Sequence, residues 1–341
     1  MKALSTYLAI FALLGIASSA WLTVRSGLPY PKTLGPEFGS KTKQLFQKAI
    51  EESHPDVVLL GDSTLEVGVN QATLSESLEK DVYKIGLPGS ASAVWYLVIK
   101  NNIVYSSYKA PVLILFFRDT LLTRPDVRVT GRYFELIDEL ADHNEPLVTQ
   151  LSYVEPMSGL ERLMEQFLPV YGYRVRMRDG LDRRMRSLSS LFLQDCDEKC
   201  VENSMTTVFS TANLEEEVAD RNLRDVELSL YRVRSTDFSQ QVERSFLPEI
   251  IRLCRENGIQ LIVARSKTLI YPSEQAEPAA LHRYMRDLAD YLDGQDVIFL
   301  DFAHDPRLSD DLFSDTVHLS AAGQVVFTRL LGESLEPILK Q

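Results

Sequence analysis

Cysteine and tryptophan are scarce in this chain: three cysteines and two tryptophans in 341 residues. So few cysteines exclude a small disulfide-stapled scaffold. Cys196 and Cys200 stand at i, i+4 spacing, open to either a local disulfide or a reduced pair, with Cys254 left over. No histidine lies near them in sequence to complete a metal site, and no metal or diffusible cofactor is expected. Positive charge is also short. Lys and Arg number 36 against 48 Asp and Glu, giving a formal net charge of -12, which repels nucleic acid and excludes it as a partner. Internal repeats and low-complexity tracts are absent, so neither a solenoid nor a disordered polymer is expected. What is present is ordinary globular composition, 45% hydrophobic and 25% charged.

One long uncharged run stands out. Between Lys2 and Arg25, residues 3–24 carry no charge, which is length enough to cross a bilayer as a helix. Three readings fit: an uncleaved anchor, a signal peptide cut near Ser18-Ser19-Ala20, or a buried helix. The anchor is preferred because the apolar run continues through Trp21, Leu22 and Val24. Both leading readings export the remainder, and Lys2 ahead of the span agrees with an inside N-terminus. The expected placement is a single-pass protein of the cell membrane, its main domain on the periplasmic or extracellular side.

Residues 26–40, rich in Pro and Gly, read as a linker after the segment 1–25, and residues 41–341 as the main domain. There, short apolar runs at 57–60, 82–85, 112–117, 260–264 and 297–300 alternate with helical patterns at 41–52, 71–80, 93–105, 246–257, 279–292 and 321–335. Gly258 reads as a helix C′ residue, Ser320 as an N-cap and Pro337 as a stop. Continuous apolar strands interleaved with helices predict an α/β fold, a parallel sheet covered on both faces. The alternation lapses between about 120 and 240, a mostly helical insertion. It holds Arg174, Arg176, Arg178, Arg183, Arg184 and Arg186 and the acidic run 215–217. Solvated charged faces explain it; a cap or partner-docking surface above the site is the sharper alternative.

In an open parallel sheet, ligands sit at the carboxyl ends of the strands. Ser63 follows the first strand, Gly86-Leu87-Pro88-Gly89 the second, Arg118-Asp119 the third, and Asp315 and His318 come after the fifth. All four segments therefore fall on one edge. A serine becomes a nucleophile when a base takes its proton, and a histidine does so best when a carboxylate orients it. Ser63, His318 and Asp315 supply those three parts. Arg265 and Lys267, after the fourth strand, are either receivers of an anionic sugar or part of a solvated loop. His304 follows the fifth strand without a motif partner, and His54 and His143 read as surface or capping residues.

These residues resemble the SGNH (GDSL-type) hydrolases. Gly61-Asp62-Ser63 is similar to that family's first block, Gly86 and Gly89 to its second, with Gly89 the better match, and Asp315–His318 to its closing block. The resemblance implies a flavodoxin-like three-layer α/β/α domain. It makes Ser63 the nucleophile, His318 the base, Asp315 its orienter, and the Ser63 and Gly89 N–H groups oxyanion donors. The Gly-x-Ser-x-Gly elbow of α/β-hydrolases is excluded because position 65 is Leu. One departure stands at Arg118, where the family places an Asn that donates to the oxyanion. A guanidinium is expected to fill that role; the alternative is that Arg118 pairs with Asp119 or Glu66 and only shapes the site. The anchor adds a likeness to membrane-tethered SGNH proteins that work beside membrane-bound O-acyltransferases. That likeness implies a membrane O-acyltransferase partner, a glycan acceptor and acyl transfer through serine. An esterase using the same triad, and a non-catalytic envelope scaffold, are the rivals.

Overall fold

A computed structural model describes residues 2–39, 44–178, 180–181 and 237–340. The chain divides into two compact units, one of Met1–Pro36 with Tyr153–Ala219, the other of Glu37–Ser152 with Asp220–Gln341.

The larger unit is built on five parallel strands, Val57–Gly61 (β1), Val82–Gly86 (β2), Val112–Phe117 (β3), Gln260–Arg265 (β4) and Ile298–Asp301 (β5). Their order across the sheet is β2-β1-β3-β4-β5. This is the flavodoxin-like order, with its switch point between β1 and β3. Every residue of β1 and β3 is buried, which is why both read as unbroken apolar runs rather than alternating ones. Val57, Leu59, Ile114, Phe116 and Ile262 face one way, into a cluster with Leu65, Leu74, Phe327 and Leu331. Those partners come from the helices Ser63–Gly68, Gln71–Leu78 and Ala321–Leu339. The connections Leu247–Glu256 and Ala279–Asp293 pack on β4 and β5 respectively.

The helix over 93–105 is α-helical as Ser92–Val98 and widens to a π-helix at Ile99–Val104. Gly258 follows its helix at φ +67°, as a C′ glycine should. Ser320 caps the last helix through the Gly323 N–H at 3.2 Å. Pro337 does not stop that helix, which runs to Leu339. A proline so near the end removes a single i→i−4 hydrogen bond, the one to Glu333 O, and only two helical residues follow it.

The smaller unit holds the helix Lys2–Ser26, whose stretch Ala9–Ser26 is long and apolar enough to cross a membrane. Residues expected as a bare linker belong here: the Tyr173 hydroxyl donates to Pro29 O at 2.8 Å, and Lys32 Nζ to Gly172 O at 2.7 Å. The expected insertion is thus shared. Its first part, with helix Arg132–Leu140, groups with the sheet, and its part from Tyr153 on groups with the N-terminal helix. Cys196, Cys200, Arg183, Arg184, Arg186 and residues 215–217 lie outside the described residues.

Candidate active site

Ser63 is the first residue of the helix Ser63–Gly68, directly after β1. The turn is fixed by Asp62, the N-cap, whose Oδ1 accepts the Thr64 N–H at 2.9 Å and the Thr64 hydroxyl at 2.7 Å. Opposite stands a loop after β5. There the Ser314 N–H donates to His318 O at 2.9 Å, and Phe313 and Leu319 form an antiparallel bridge. Within this loop Asp315 Oδ1 accepts the N–H groups of Val317 and His318, each at 2.7 Å. Its other oxygen is left for the ring, with His318 Nδ1 lying 2.8 Å from Asp315 Oδ2. The far ring nitrogen, Nε2, is 2.9 Å from Ser63 Oγ. Serine hydroxyl, imidazole and carboxylate therefore form one hydrogen-bonded line across 255 residues of sequence.

Partial burial of the Asp315 carboxyl works against its ionisation. The hydrogen bonds from the His318 ring and from the Val317 and His318 N–H groups outweigh it and hold the pKa below the usual aspartate value. An ionised Asp315 fixes a proton on Nδ1 and leaves Nε2 free to accept one from Ser63.

The β2 loop reaches the same edge through a turn. Leu87 N–H donates to Gly61 O at 2.9 Å, and Ser90 N–H to Leu87 O at 2.9 Å. Pro88 and Gly89 occupy the turn's centre, with Gly89 at φ +80°, the conformation a type II turn requires there. A side chain at Gly89 would also meet Tyr133 Cε1 at 2.6 Å. Gly86 is bare for another reason: a Cβ there would stand 2.8 Å from the Glu66 backbone, so the helix carrying Ser63 could not come so near.

Arg118 follows β3 on this edge, and it makes the pairing with Asp119 that stood as the alternative to an oxyanion role. The side chain is 2% exposed; Nε donates to Asp62 Oδ2 at 3.1 Å and Nη1 to Asp119 Oδ2 at 3.2 Å. A guanidinium this deeply buried needs counter-charges, and two carboxylates supply them. Glu66, the other suggested partner, pairs with Lys84 at 3.3 Å. Burial opposes ionisation of Asp62, yet Arg118, both Thr64 hydrogen bonds and Arg128 together keep its pKa below the ordinary value.

Arg265 and Lys267 are not in a solvated loop. Arg265 is buried against Glu277 and Asp301, and Lys267 Nζ donates to Leu308 O. His304 Nε2 lies 3.0 Å from Glu277 Oε1. His54 is the C-cap of Leu45–Ser53, and His143 pairs with Asp142 at the surface. Sequence reasoning missed Thr64, Arg128, Tyr133 and Glu277. Thr64 had a signal, as the residue two after a buried N-cap aspartate; the other three become visible only when the chain is folded. Cys254, the unassigned thiol, is buried, which pushes its pKa up to about 12 and keeps it protonated and inert.

No family model matches this chain, and no curated protein matches it in sequence. Solved structures resemble it distantly. An acylhydrolase, so named, from Bacteroides fragilis is 11% identical with a TM-score of 0.40, over 88% of this chain and 100% of that one. A GDSL-like lipase from Bacteroides thetaiotaomicron is 10% identical, TM-score 0.35, over 83% and 88%. A lipolytic protein of the G-D-S-L family from Desulfitobacterium hafniense is 11% identical, TM-score 0.38, over 81% and 97%. Chains this far apart share too little to transfer a role, and the chemistry of this site rests on its own distances.

Proposed function

We propose that this protein is a membrane-anchored serine O-acyltransferase that carries an acyl group on Ser63 and delivers it to a hydroxyl of an envelope glycan. The observation that carries the reading is the line Ser63 Oγ–His318 Nε2, 2.9 Å, and His318 Nδ1–Asp315 Oδ2, 2.8 Å. In the first step Ser63 Oγ attacks the acyl carbonyl while His318 Nε2 takes its proton. The tetrahedral oxyanion is held by the Ser63 and Gly89 N–H groups. His318 then returns the proton to the leaving alkoxide or thiolate, and an acyl-serine remains. In the second step the acceptor hydroxyl gives its proton to His318 and attacks the same carbonyl, and Ser63 Oγ departs and is reprotonated. Asp315 orients the ring in both steps and stabilises the imidazolium. Arg118 is assigned a positioning role: it holds Asp62, and Asp62 caps the helix that begins at Ser63.

Water in place of the sugar hydroxyl makes the same site an esterase. Transfer is favoured by the apolar helix Lys2–Ser26, which would tether the chain to a membrane that could also hold a membrane-bound O-acyltransferase to load it. The domain would then work on the periplasmic or extracellular side. The test is partition of the acyl-serine. The full chain loaded with an activated acetyl ester should release acetate slowly in buffer and faster, with acetylated sugar appearing, when oligosaccharide acceptors are added. Acetate as the sole product at every acceptor concentration would make it an esterase.

A further inference from the structure

The helix Gly159–Phe167 is amphipathic the wrong way round for a soluble protein. Its buried side chain is Glu165, 7% exposed, clasped by Lys32 and Arg174. Three of its four apolar residues point outward: Leu160 is 69% exposed, Leu163 58% and Phe167 49%, while Met164 is half-buried. At i, i+3 and i+7 these three form one stripe, opposite Glu165. In water this arrangement leaves the apolar stripe wet, and its buried charge needs the two cations that clasp it.

The position of this helix in its unit supplies the missing environment. It packs on the short helix Pro169–Gly172, which packs in turn on the first helix, Lys2–Ser26. The meeting point is near the end of the apolar span. Ser19 and Leu22 are buried there, and Val170 N–H reaches Ser19 Oγ at 3.5 Å. At 1.5 Å per residue, those positions lie about 6 to 10 Å inside the span's end at Ser26. That is the depth at which interfacial helices lie, about 5 to 10 Å into the headgroup and acyl boundary. Trp21, 64% exposed, lies at the same level of the helix, as interface aromatics do.

We propose that Gly159–Phe167 is a membrane-surface helix, with Leu160, Leu163 and Phe167 immersed in the lipid bilayer beside the end of the first helix. The occupant of the stripe is lipid, and the inference rests on the anchor reading. It gives this protein a second membrane contact, fixing the exit of the span instead of leaving a free tether.

The test is depth-dependent quenching in the full chain, reconstituted in vesicles of phosphatidylcholine and phosphatidylglycerol. Trp21→Phe removes the one exposed native tryptophan, and Trp95, fully buried, gives a constant background. Leu163→Trp then reports on the stripe and Arg162→Trp on the helix's other side. Lipids brominated high on the acyl chain should remove roughly half of the Leu163→Trp emission and little of the Arg162→Trp emission. Intact mass read on the same sample separates the two ideas. An uncleaved chain whose Leu163→Trp is unquenched, and open to a water-soluble quencher, overturns the surface helix and leaves the anchor standing. Shielding found in native membranes but not in pure lipid would assign the stripe to a protein partner and also overturn it. A chain recovered without its first helix overturns both.

Discussion

Asp62 and Arg118 meet at 3.1 Å, Oδ2 to Nε, with side chains 1% and 2% exposed. One residue stands immediately before the candidate nucleophile, the other immediately after β3, so the pair ties the start of the Ser63 helix to the sheet's switch point. The remaining Asp62 oxygen is committed to Thr64. A buried pair of this kind adds little net stability when intact but is costly to break, because the surviving charge is stranded.

Removing Arg118 should therefore be read in folding as well as in rate. Arg118→Ala is expected to destabilise the protein by about 3 to 5 kcal/mol. It should slow acyl-enzyme formation and acyl release together. Arg118→Asn should not restore either step. Denaturant melts and single-turnover kinetics check this. An unchanged melt with acylation alone depressed would put the guanidinium back on the oxyanion.

Acid should act through the same carboxylate. The pKa of Asp62 is lower in the fold than when exposed, so its stabilising contribution is complete above the ordinary aspartate value of 3.8 and is lost as pH falls through the lower folded value. Asp315 follows the same rule. Asp62→Asn should melt below the wild type at pH 7, and the gap should narrow in the most acid buffers in which both still fold. A gap that stays constant down to pH 3 would contradict the linkage.

Gly89 should tolerate no side chain. Its φ of +80° and the Tyr133 ring 2.6 Å from a would-be Cβ mean that Gly89→Ala must move the turn. If Gly89 N–H holds the oxyanion, turnover should fall about a hundredfold to a thousandfold with substrate binding little changed. Comparison of kcat and KM decides it. Equal loss in both would mean the turn only shapes the pocket.

The strands were legible in the sequence because buried parallel strands must be apolar on both faces, and 57–60 and 112–117 carry no polar residue. The one-edge convergence of Ser63, Gly89, Arg118 and His318 followed from that, since each comes directly after a strand or just before the last helix. The Arg118–Asp119 pair was legible as a reading of adjacent residues. The Arg118–Asp62 pair was not, because Asp62 becomes a partner only through the adjacency of β1 and β3 in the sheet. The pairing of Arg265 with Glu277 was not legible for a like reason, the two being joined across a loop of no periodic pattern. Nor did the charge pattern at 159–167 betray its inverted burial, because Lys32, the partner that buries Glu165, lies in what reads as a linker.

Anchoring has its own check. The mature chain should retain its first helix and stay with membranes through a high-salt wash, since salt releases electrostatic attachment but not a spanning helix. A soluble product beginning near Trp21 would show that the segment is a cleaved signal.

The central claim is that Ser63 becomes acylated with His318 as its base. The direct measurement is mass spectrometry of the full chain after brief exposure to an activated acetyl ester, with the modified peptide sequenced. A single acetyl on Ser63 is expected, absent from Ser63→Ala, with its formation slowed by roughly four to six orders of magnitude in His318→Ala. Label that persists in Ser63→Ala, or acylation of Ser63 at an undiminished rate without His318, would contradict it.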